Sequence, residues 1–109
     1  MLDDLFGSPL RVKILQYIVE CSDAYSLELT RQFKRSLFSV QSQLKKLEQS
    51  GVLVSRSVGK TRLFTFNPRY PLKAELTALL RKNLEFVSST EIQKNYRPRK
   101  RPRRAGKPM

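Results

Sequence analysis

"SVGKTRLFTF", residues 57–66, contains Gly59-Lys60-Thr61, the letters that close the phosphate-binding loop of many NTPases. Such a loop needs a further glycine five positions before the Gly-Lys, so that backbone N–H groups can curl around phosphates. That position is Val54, inside the run VLVSRSV, which is apolar and β-branched. The loop also needs a helix after the threonine, with its N-terminus facing the phosphate. The residues there are TRLFTFN, with Leu63, Phe64 and Phe66 in a strand-like pattern. The stretch therefore reads as strand, tight turn, strand. Strands are expected at about 52–57 and 61–67, with Gly59 supplying the positive φ of a tight hairpin. Phe64 and Phe66 share one face and are expected to pack on helices. Arg56, Lys60 and Arg62 sit at or beside the tip.

Upstream of the hairpin the pattern is helical. Ser36 caps a helix from Leu37 to about Gln49, stopped by Gly51. Leu37, Val40, Leu44 and Leu47 form its apolar stripe. The other side carries Phe38, Ser39, Ser42, Lys45, Lys46 and Gln49, flanked by Gln41 and Gln43. Hydroxyls and amides read base edges in the major groove, and lysine reaches guanine or phosphate. An ordinary solvated face has the same composition. Phe38 can touch a thymine methyl or pack back on the preceding helix, and the second is the expectation. That preceding helix starts at a Ser26 cap and runs to about Phe33, with Leu27, Leu29 or Phe33 turned inward. "KRS", residues 34–36, joins the two. Two helices with a three-residue joint have the proportions of a helix-turn-helix. A cationic hairpin directly after them is a wing, whose cations reach phosphates or the minor groove.

Ser8-Pro9 opens the first long helix, which runs to about Cys21. Leu10, Ile14, Ile18 and Cys21 make one apolar face, joined by Tyr17; Leu2, Leu5 and Phe6 cover its base. Val12, Leu15 and Val19 make a second face on nearly the opposite side. After the break NPRYPL, Pro71 opens a last helix, expected from Leu72 into the high 80s or low 90s. Its stripe is Leu72, Leu76, Leu79, Leu80, Phe86 and Val87, with Asn83 near the middle. Pairing that stripe with the second face of the first helix is the economical solution, within one chain or across a two-fold axis. A homodimer is the expectation, with Asn83 fixing register in the seam.

The chain has 109 residues and a formal charge of +13. Its sequence pI of about 10.5 points to a polyanionic partner, nucleic acid or an acidic membrane. No apolar run approaches the roughly 20 residues that span a bilayer, and there is no secretory pattern, so a cytoplasmic location is expected. There is one cysteine, Cys21, and no histidine. No metal ligand set is spaced for zinc, no nucleophile–base or carboxylate pair stands out, and no cofactor or enzymatic activity is expected.

After Glu91 there is no acid, but eight bases and three prolines. The reading is a winged-helix domain over residues 1–91 and a basic, disordered tail over 92–109. Without those eight bases, 14 remain against 9 acids, a net of +5, so the folded part is basic by itself.

Together, LFGSPLRVKILQYI, SLELTRQF, SLFSVQSQLKKLEQSGVLVSR and VGKTRLFTFNPRYPL resemble ArsR-like winged helix-turn-helix regulators. The resemblance covers about residues 2–85. It implies that Ser39, Gln41, Ser42 and Lys45 face the major groove, that Lys60 and Arg62 belong to the wing, and that the first and last helices dimerise. Many such regulators sense metals through cysteine and histidine clusters, and this sequence lacks both clusters. Winged-helix domains that precede nucleotidyltransferase domains are similar too, but here a basic tail comes next.

The fold expected is mainly α with a small β-hairpin: a three-helix core, a wing and a C-terminal dimerisation helix. The function expected is sequence-specific binding of double-stranded DNA by a dimeric transcriptional regulator. Candidate DNA-binding residues are Arg35, Ser36, Phe38, Ser39, Gln41, Ser42, Lys45 and Lys46, then Arg56, Lys60 and Arg62 of the wing. Arg97, Arg99, Lys100, Arg101, Arg103 and Arg104 of the tail complete the set. Two alternatives stand beside it. One is an adaptor that binds a protein such as a separately encoded nucleotidyltransferase; the other is non-specific nucleic-acid binding or compaction.

Overall fold

The computed structural model describes residues 2–87, 91–92 and 96. A short helix, α1 (Leu2–Phe6), leads into α2 (Pro9–Cys21). The start of α2 is fixed locally: Ser8 Oγ accepts the Arg11 N–H at 3.2 Å, and Pro9 occupies a position where a missing N–H costs nothing. Arg11 then ties three helices together. Its Nη1 donates to the Phe6 carbonyl at 3.0 Å and its Nε to Gln43 Oε1 at 2.9 Å.

Residues 22–25, between the first two long helical patterns, contain a strand, β1 (Asp23–Tyr25). Ser22 turns the chain with φ of 77°, and β1 pairs antiparallel with the second hairpin strand, Ala24 opposite Phe64. Next comes α3 (Ser26–Phe33), with Tyr25 rather than Ser26 at its N-cap. Glu28 organises that end. Its carboxylate accepts the Tyr25 N–H at 3.1 Å and the Tyr17 hydroxyl at 2.5 Å. Lys34, in the left-handed conformation, ends α3.

Helix α4 (Leu37–Gln49) begins at Ser36, whose Oγ accepts the Ser39 N–H at 3.1 Å. Gly51, with φ of 86°, turns the chain out of it, a conformation that favours glycine. The hairpin is β2 (Leu53–Val58) and β3 (Thr61–Phe66), with Val58 opposite Thr61. Gly59 alone of its two loop residues has positive φ, as a type II′ turn requires. The sheet order is β1-β3-β2, so the wing grows from a strand anchored between α2 and α3. Asn67 closes the hairpin: its Nδ2 donates to the Gly51 carbonyl at 2.9 Å and its Oδ1 accepts the Arg69 N–H at 3.0 Å.

The core gathers Ile14, Leu15 and Ile18 of α2, Leu29, Val40, Leu44, Leu53 and Leu80, all essentially without solvent contact. Helix α5 (Lys73–Leu84) packs on α2. It stops earlier than expected. Amides of Glu85, Phe86 and Val87 bond carbonyls three residues back, tightening the end.

Tyr96, expected in the tail, is only 3% exposed and belongs to the core. Its ring lies 6.1 Å from that of Phe33, which also meets Tyr17 edge-on at 6.0 Å. An aromatic ring of that size stabilises by burial wherever the chain lets it return.

Candidate nucleic-acid interface

Helical spacing puts Phe38, Ser42, Lys45 and Gln49 of α4 on one line, directly opposite the buried Val40, Leu44 and Leu47. Lys46 lies beside that line. Phe38, Lys45, Lys46 and Gln49 are exposed, and Ser42 half-buried. Phe38 does not pack on α3, against expectation. It is 82% exposed, because the inward positions of α3 are filled by Leu29 and Phe33 and Phe38 points the other way. Ser36 and Ser39 are engaged with each other: the Ser36 hydroxyl caps the helix and donates to Ser39 Oγ at 2.9 Å. Arg35 and Lys34 stand exposed in the turn before α4.

Gln41 lies on the flank of α4 that faces the wing. With Lys45, Lys60 and Arg62 it lines a groove of about 1040 Å³ between α3, α4 and the hairpin. Leu27, Leu37 and Phe64 supply apolar walls and Arg31 a further cation. Arg62 does not hang free in that groove. Its Nε donates to Ser55 Oγ at 3.0 Å and its Nη1 to Ser57 Oγ at 3.2 Å. Ser55 in turn donates to Glu48 Oε2 at 2.6 Å. A chain of hydrogen bonds thus runs from the last turn of α4 to the wing and sets one against the other. No sequence signal marks it, since Glu48 and Ser55, like Ser55 and Arg62, stand too far apart along the chain to share a local pattern.

The register places Arg56 opposite Leu63 and Arg62 opposite Ser57. Directly opposed residues share a sheet face, and neighbours alternate. Arg56 and Arg62 therefore project from opposite faces of the wing, and only Arg62 and Lys60 line the groove. Among the described residues Lys45, Lys46 and Lys60 form no ion pair within 4 Å, whereas Lys82 and Glu85 do, at 3.2 Å.

No protein-family model matches the sequence, and no curated protein matches it. Solved structures do, among them the following two. Rv0081 of M. tuberculosis superposes with a TM-score of 0.60 at 29% identity, covering 82% of this chain and 87% of that one. A mutant of Lactococcus lactis ZitR in apo form superposes with a TM-score of 0.54 at 16% identity, covering 83% and 78%. This chain is a winged helix-turn-helix protein. Its fold is related to that of ArsR/SmtB-family regulators.

In the winged-helix protein, α3 and α4 are the helix-turn-helix and β2–β3 the wing. The second apolar face of α2 is not an open seam. Val12 and Leu15 are buried within the chain, as is Leu80 of α5, because α5 folds back on α2. Val19, Leu76 and Val87 are half-buried at the edge of this core. The part of the α5 stripe left open is Leu72, Leu79 and Phe86. Asn83 turns inward to Gln16. Arg97, Arg99, Lys100, Arg101, Arg103 and Arg104 lie outside the described residues. Among the described residues no group of three or more His, Cys, Asp or Glu is placed to hold a metal ion. No described helix is long and apolar enough to cross a membrane.

Proposed function

We propose that this winged-helix protein is a cytoplasmic, dimeric, sequence-specific double-stranded DNA-binding protein that regulates transcription. One observation carries the reading: the outward side of α4 presents exposed Lys45, Lys46 and Gln49 with half-buried Ser42, a hydroxyl, an amide and two cations that form no ion pair among the described residues, beside a wing tipped by Lys60. Each protomer lays α4 in a major groove, with Lys45 and Lys46 reaching guanine or phosphate. Lys60 and the tail cations meet the backbone, and Arg62 is held ready by Ser55 and Ser57. The exposed apolar surface of Leu72, Leu79 and Phe86 meets its copy in a partner, which predicts a palindrome with half-sites about 10 bp or a multiple apart.

The test is selection of the full chain against random duplex DNA at physiological salt. A second full-length protein, with every arginine and lysine after Tyr96 replaced by glutamine, runs in parallel. An enriched palindrome retained by both proteins supports the reading. Binding without any enriched motif, abolished in the glutamine variant, overturns it.

A further inference from the structure

We infer that Phe38 is a specificity-determining residue that reads the C5 methyl group of a pyrimidine in the major groove. The inference rests on the DNA-binding reading above. Three observations carry it. Phe38 occupies the second residue of α4, at the head of the line it forms with Ser42, Lys45 and Gln49. It is the most exposed of the large hydrophobic residues, at 82%, and no ring stacks on it among the described residues. The core neither needs nor covers it, since Val40, Leu44 and Leu47 anchor the helix from the opposite side.

The major groove offers one apolar group along the base edges, the methyl at C5 of thymine. 5-Methylcytosine carries the same group at the same place. An apolar ring amid polar and cationic neighbours suits that group and gains little from phosphate or from a base edge of donors and acceptors. Unstacking wedges act from the minor groove, whereas α4 is the helix presented to the major groove. An exposed aromatic ring here therefore discriminates by touching a methyl rather than by hydrogen bonding.

The test removes the methyl and nothing else. In the duplex enriched by the full chain, each thymine of the half-site is replaced in turn by deoxyuridine, symmetrically in both half-sites. Wild type, Phe38→Ala and Phe38→Leu are compared on each duplex, with thermal melts confirming that all three fold. Burying one methyl is worth about a fourfold change in affinity per half-site, hence about fifteenfold for two. One thymine position is expected to show that loss with wild type, a smaller one with Phe38→Leu and none with Phe38→Ala. Placing a 5-methylcytosine·guanine pair there is expected to bind wild type more tightly than the unmethylated pair, and Phe38→Ala equally.

Indifference of wild type to every uracil overturns the inference. So does a uracil penalty that Phe38→Ala retains, or a half-site without thymine. Failure of the first selection to yield any motif overturns the DNA-reading proposal instead, before Phe38 is reached.

Discussion

Asn83 of α5 and Gln16 of α2 share one hydrogen bond, Nδ2 to Oε1 at 3.3 Å, and it leaves Gln16 Nε2 buried without a partner among the described residues. Gln16 is 1% exposed, the one polar side chain in the described core. The pair fixes how α5 lies on α2 at the cost of an unsatisfied donor. An apolar replacement of similar length removes that cost. Gln16→Met is expected to raise stability by about 1 kcal/mol, read by chemical denaturation. Asn83→Leu, which orphans the whole amide, is expected to lower it by about 1–2 kcal/mol. The double variant recovers most of the loss, since the two effects share one bond.

Lys60 stands at the wing tip with no ion pair among the described residues. If it meets a phosphate, Lys60→Ala lowers DNA affinity alike on all sequences. The slope of log affinity against log salt becomes shallower by about 0.9 for each phosphate no longer neutralised. A titration series from low to high salt reads both effects. An unchanged slope removes Lys60 from the interface.

The Glu48–Ser55–Arg62 chain holds wing to helix. Ser55→Ala breaks it at its centre while leaving every cation in place. The expected outcome is weaker specific binding, by several-fold, with an unaltered salt slope. Fluorescence anisotropy on the selected duplex measures it.

Tyr96 sits in the core, and burial, followed by the nearby carboxylates of Glu91 and Asp3, pushes its phenol well above the ordinary value of 10. The folded-state value exceeds the unfolded one. The stabilisation is thus complete below about pH 10 and is lost as pH rises further. Wild type is expected to lose stability above that pH more steeply than Tyr96→Phe. Tyr96→Ala is expected to cost about 3 kcal/mol at neutral pH, as truncation of a buried ring does.

Leu79 of α5 and Phe86 just past its end are exposed. Glutamate at both positions is expected to leave the melting temperature of the protomer near that of wild type and to abolish the dimer. Light scattering coupled to size exclusion reads the mass. A variant of unchanged mass rejects this surface as the interface.

The helices α2 and α4 were legible because their signals are local: Ser8-Pro9, Ser36, Gly51 and a clean apolar stripe from Val40 to Leu47 each act within a short span. The wing was legible from Gly59 and the alternation around it. Strand β1 was not, since so short a strand carries no measurable period and Ala24 is placed by its distant partner Phe64. Burial of Val12, Leu15 and Leu80 inside one chain was equally hidden. Two apolar faces state that a cover is needed and not whose chain supplies it. Tyr96 was missed because its basic, proline-rich neighbours set the character of the segment. Phe38 was misplaced because apolarity alone argues for burial, whatever direction the helix gives the side chain.

Strand β2 is one of the sheet's two rims, β1 being the other, and a free rim invites a second rim. Beyond its ladder to β3, alternate residues of the six direct their backbone groups outward, and Val54 and Val58 lie along that rim on one face. Arg56 lies between those two valines, exposed and on the opposite face from the groove-lining Arg62. A charge at that point repels the approach of an identical rim from another molecule. Such a charge disfavours rim-to-rim pairing at high concentration, whether or not Arg56 also meets nucleic acid.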